Sequence, residues 1–101
     1  LRHTIHSWPE PGFEEVRTQA AIRAALIDAG LSPQACAGTG LIADIGSGSG
    51  PAIALRADID CLRMTEANPD LPYRSQRDGF AHMCGHDGHT AATNAMTHTV
   101  E

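Results

Sequence analysis

Apolar residues fall into patterned stretches along the chain. The clearest is "EEVRTQAAIRAALIDAG", where Ile22, Leu26 and Ala29 recur at helical spacing. Acidic residues open it and Gly30 supplies a stop, so the pattern predicts a helix beginning at Glu14. Upstream, "LRHTIHSW" reads as a helix end that "PEPG" closes with two prolines and a glycine. "LSPQACAGTG" reads as a connector. "LIADIG" and "PAIALRAD" then read as two strands around a "SGSG" turn, with Pro51 tolerated only at the start of the second. From Asp87 a last helix is expected, weakened by Thr93, Asn94, Thr97 and Thr99. Between them, Cys61 to Phe80 is a long irregular stretch with Pro69, Pro72 and Gly79. Loops of that length are commonly functional or disordered.

Helix and strand patterns together predict an α/β chain, and 101 residues make one small domain at most. A domain of this size hides only about two-thirds of its unfolded surface. With one Trp, one Tyr and two Phe, the core must rest on Ala, Ile, Leu and Val. Net charge is −5 and the seven basic residues are scattered, which argues against a nucleic-acid partner. No apolar run approaches the roughly 18 residues of a membrane span, and the N-terminus does not resemble a signal peptide. Three widely spaced cysteines read as reduced thiols of a cytoplasmic protein. The chain opens at Leu1 without Met and ends at Glu101 within an expected helix, so it reads as a piece of something longer.

Candidate chemistry concentrates in "HMCGHDGHTA". Gly85 and Gly88 disfavour a continuous helix there, and in a looped backbone Cys84 and His86, two apart, project to the same side. A thiolate beside an imidazole suits zinc or another first-row metal. Asp87 falls where a helix N-cap belongs. Two ligands make half a site, so others must come from elsewhere. Two further readings remain open: a buried thiol beside surface histidines, and a Cys84 nucleophile with His86 or His89 as base. In "RADID", Asp58 and Asp60 stand at a predicted strand end, where a carboxylate could bind metal, orient a ligating histidine, or simply decorate a solvated turn. His3 and His6 read as surface or packing residues, Glu14 and Glu15 as helix-start charges. "GSGSG" lacks the Lys and Ser/Thr of a phosphate loop and reads as a turn.

Three stretches, "HSWPEPGFEEVRT", "ALRADIDCLRMTEAN" and "HMCGHDGHTAA", together resemble the N-terminal region of the amidohydrolase branch of the aminoacylase/carboxypeptidase metallopeptidases. That branch includes hippurate hydrolases, N-acyl-amino-acid amidohydrolases and auxin-conjugate hydrolases. The resemblance implies part of a hydrolase-like catalytic domain, a central sheet flanked by helices, across residues 1–101. A dimerising domain and the remainder would lie outside the chain, and the intact parent would be a homodimer. It implies two divalent cations (zinc, manganese, nickel or cobalt), with Cys84 and His86 as ligands and Asp87 and His89 in support. Related branches carry His-x-Asp where this chain has "RAD", so Arg56 replaces a ligating histidine and Asp58 becomes an orienting carboxylate. The implied reaction is metal-assisted hydrolysis of N-acyl amino acids, with a water-activating glutamate and further histidines beyond this chain. The alternative is a non-catalytic α/β module that binds metal or packs on a partner.

Overall fold

The computed structural model describes residues 1–97. Its elements are α1 (Arg2–Ser7), α2 (Val16–Asp28), β1 (Gln34–Cys36), β2 (Gly40–Ile42) and α3 (His86–Met96). Thr99 and Glu101, read as part of the last helix, lie outside the described residues.

Helix α1 stops where the sequence places its prolines, with the Trp8 N–H returning to the Ile5 carbonyl at 3.2 Å. Helix α2 starts at Val16, two residues later than the acidic pair suggested, and its first turn carries no acidic residue. Glu10 does the capping instead. Its carboxylate accepts the N–H groups of Arg17 and Thr18 at 3.1 and 2.6 Å and the Thr18 hydroxyl at 2.7 Å. These N–H groups belong to the first turn, which has no partners within the helix. Glu15 is buried and accepts the Thr39 hydroxyl at 2.6 Å, tying the helix start to the hairpin. At the other end, Gly30 at φ 83° sends its N–H to Ile27, and Leu31 sends its own to Leu26. That pair of bonds is a Schellman closure, which a glycine in the left-handed region permits.

The strand expectations need correcting. The sheet among the described residues is a two-stranded antiparallel hairpin, Gln34 opposite Ile42 and Cys36 opposite Gly40, built partly from the presumed connector. A side chain on Gly40 would meet the Cys36 carbonyl at 2.8 Å, so the close approach of the two strands requires glycine. Gln19 clamps the hairpin to α2, donating to the Gly38 and Gly40 carbonyls at 3.0 Å each. "LIADIG" contributes only its first two residues to β2, and "PAIALRAD" forms no strand. Ile53 is 91% exposed. A strand exists through its ladder, and no strand among the described residues pairs with this stretch. The expected central sheet is therefore not seen among the described residues.

The apolar interior is small: Ile5, Ile22, Cys61 and Ala81. Around it, buried polar side chains do much of the joining, with α1 packed on both α2 and α3. The guanidinium carbons of Arg17 and Arg77 lie over the Trp8 ring, 4.1 and 5.7 Å from its centre. Arg77 also lies over Phe80 at 4.4 Å and donates to the Pro9 carbonyl. The long 61–80 stretch is ordered by such contacts. Leu62 and Ala81 exchange two backbone bonds at 3.0 Å, Cys61 donates to Glu10, and Gln76 donates to Ser7.

Candidate metal centre

The Cys84–His86 pair sits at the entry to α3. Gly85 between them has φ 98° and precedes the first helical residue, His86. The bend at Gly85 breaks the helix register, whereas Gly88, also expected to disfavour helix, lies within α3. Cys84 is exposed and unpaired.

His86 is held from the other side. Its Nδ1 lies 2.9 Å from a carboxylate oxygen of Asp60 and 3.0 Å from the Asp60 carbonyl. Both are acceptors, so Nδ1 carries a proton and donates. Nε2 has no hydrogen-bond partner among the described residues. Asp58, by contrast, points its carboxylate at Arg56 on an exposed surface, while its carbonyl accepts the Thr90 hydroxyl from α3 at 3.1 Å. The acidic side chain on His86 is thus Asp60, not the Asp58 that the resemblance implied. His89 is exposed, its ring centre 6.2 Å from that of His86.

Asp87 is the second residue of α3, not its cap; Gly85 holds the cap position. Its side chain is 2% exposed and faces inward, accepting from His6 Nδ1 at 2.9 Å and Arg2 Nε at 3.3 Å. The other nitrogen of His6 meets Glu66 at 2.8 Å. With carboxylate oxygens at both nitrogens, His6 is an imidazolium. Burial alone would lower its pKa, but the hydrogen bonds to Glu66 and Asp87 outweigh that and raise it above 6.5. Burial pushes the two carboxyls upward, yet the Ser75 N–H and His6 hold Glu66 below its ordinary value. His6 and the Gly88 N–H do the same for Asp87. His6 is therefore the hub of a buried charged network joining α1, α3 and the 61–80 stretch.

Next to this network lies a cleft of about 600 Å³ whose walls include His6, Glu66, Tyr73, His82 and Cys84. His82 is buried, with neither nitrogen partnered among the described residues, and burial holds its pKa below 6.5.

The residues present fit a divalent cation. Sulfur and imidazole nitrogen flank one glycine, and the nitrogen opposite the candidate donor is tied to a carboxylate, the arrangement typical of a metal-binding histidine. No group of three or more His, Cys, Asp or Glu able to hold a metal occurs among the described residues.

The chain is similar to several known proteins. Residues 54–101 match the profile of peptidase family M20/M25/M40. An N-acetyl-L-cysteine deacetylase of Bacillus subtilis is 48% identical over 94 residues, covering 91% of this chain and 22% of the relative. A Rhodococcus jostii protein bearing a glutamate–cysteine ligase name is 46% identical over 90 residues, 88% of this chain but 11% of that protein. Among solved structures, a dinuclear metal-binding peptidase of the M20 family from Bacillus subtilis superposes with a TM-score of 0.89 at 40% identity. It covers 97% of this chain and 28% of its own. The chain thus spans about a quarter of the length of these Bacillus relatives.

Proposed function

This chain belongs to peptidase family M20/M25/M40, and from that premise we propose that it forms one wall of a metal-dependent amide-hydrolysing site. Cys84 and His86 are ligands of a divalent cation, and the larger protein that includes this segment hydrolyses N-acyl amino acids. The observation that carries the reading is the clamp on His86. Asp60 occupies Nδ1 with two acceptors and leaves Nε2 as the imidazole's donor for an ion.

A divalent cation there would supply Lewis acidity toward a scissile carbonyl and favour ionisation of the attacking water. The chain's own residues hold and orient it. Each described glutamate is already engaged: Glu10 caps α2, Glu15 meets Thr39, Glu66 meets His6, and Glu14 faces Arg63 at 3.8 Å. The base that activates water is then supplied by another part of the protein, as are the remaining ligands and the second cation. Alone, the 101 residues bind metal weakly and hydrolyse nothing. In the intact protein, which we read as a homodimer, residues 1–101 are the N-terminal part of the catalytic domain. There the exposed Ile53 and Leu55 of "PAIALRAD" become a strand of its central sheet. The described cysteines are unpaired, in keeping with a cytoplasmic setting. No helix among the described residues is long and apolar enough to cross a membrane.

The test is a cobalt(II) titration followed at the thiolate-to-metal charge-transfer band. Absorption is expected to grow with the parent chain and to vanish in Cys84→Ser. Identical titrations for the two would reject the site.

A further inference from the structure

Asp60 stands on a strap fixed along its length. Two residues before it, the Asp58 carbonyl accepts from Thr90 of α3. One residue after it, the Cys61 N–H is bound to the Glu10 carbonyl at 2.9 Å, and Leu62 then pairs with Ala81 in both directions. Its Oδ2 faces the backbone at Gly12, where an added Cβ would approach to 4.0 Å. An acceptor mounted this way has little freedom to leave His86. The nearby rival, Asp58, is engaged with Arg56 at the surface.

We propose that Asp60 is the positioning residue of the metal centre: its carboxylate keeps the His86 proton on Nδ1 and holds the ring still, so that Nε2 is bare when a cation arrives. An imidazole free in water places its proton mainly on Nε2, the nitrogen needed here as donor. Asp60 reverses that preference before metal binds, and its negative charge makes Nε2 a better donor afterwards. The inference rests on the proposed role of His86, and its two consequences are measured separately.

The metal-free consequence is read from long-range proton–nitrogen correlation spectra of the histidines in this chain. His86 is expected to show a protonated Nδ1 and a bare Nε2, and Asp60→Ala to move the proton toward Nε2. The same tautomer in both proteins would overturn the role of the carboxylate, because the Asp60 carbonyl would then suffice. The metal-bound consequence is read from cobalt(II) affinity. Asp60→Asn, close in shape but uncharged, is expected to weaken binding about tenfold or more, and to have no further effect in a His86→Ala background. Equal weakening in both backgrounds would assign Asp60 a general structural role and refute the proposal. A tautomer shift with no cobalt bound even by the parent chain would leave the positioning of His86 standing and remove the metal reading instead.

Discussion

Replacing His6 with alanine should be among the most damaging single changes to this fold. The imidazolium satisfies Glu66 and Asp87, whose side chains are 4% and 2% exposed. Without it Asp87 keeps Arg2, which is half exposed at 3.3 Å, and Glu66 keeps the Ser75 N–H. Removing one partner of a buried charged group costs about 3–5 kcal/mol, because the remaining charge stays buried uncompensated. A domain's total stability is about 5–15 kcal/mol, so the variant loses a large share of it. The pH dependence follows from the directions of the shifts. His6 is raised, so its contribution is complete below 6.5 and fades as pH rises through its folded value. Glu66 and Asp87 are lowered, so theirs is complete above 4.5 and 3.8 and fades as pH falls through their folded values. The gap between parent and variant in urea denaturation, followed by circular dichroism, should therefore be widest between pH 4.5 and 6.5 and narrow on both sides. A gap below about 1 kcal/mol at pH 6, the size of a surface ion pair, would refute the argument. So would a gap that does not change with pH.

Glu10→Ala removes the cap of α2 and should cost about 1–2 kcal/mol in the same urea experiment; Glu10→Gln, which keeps an acceptor oxygen, should recover part of the loss. Gly85→Ala meets no heavy atom within 4 Å, so its cost is the left-handed backbone, about 1–2 kcal/mol. Because that residue sets the bend between sulfur and imidazole, cobalt affinity measured by titration should fall as well, and unchanged affinity would show that the bend does not place the donors.

What the sequence made legible was local. The period of α2 and its Gly30 stop lie within one stretch, as do the Cys84–Gly85–His86 bend and the start of α3. What it concealed depended on partners. "PAIALRAD" has apolar residues suited to a strand, but a strand requires a ladder, and Ile53 instead faces solvent. The true hairpin turns through Ala37 at φ 51° and Gly38 at φ 82°, and an alanine in that conformation is a poor turn signal. His6, read as a surface or packing residue, is joined to residues 60 and 81 positions away, beyond the reach of any spacing rule. "RADID" offered two carboxylates for His86; which one faces the ring is settled by the fold of the strap, not by the motif.

X-ray absorption at the zinc edge of the zinc-loaded chain reads out directly whether Cys84 and His86 hold the ion. One sulfur neighbour is expected at about 2.3 Å together with nitrogen or oxygen neighbours at about 2.0–2.1 Å, the sulfur disappearing in Cys84→Ser. A shell of nitrogen and oxygen alone in the parent chain would contradict that expectation.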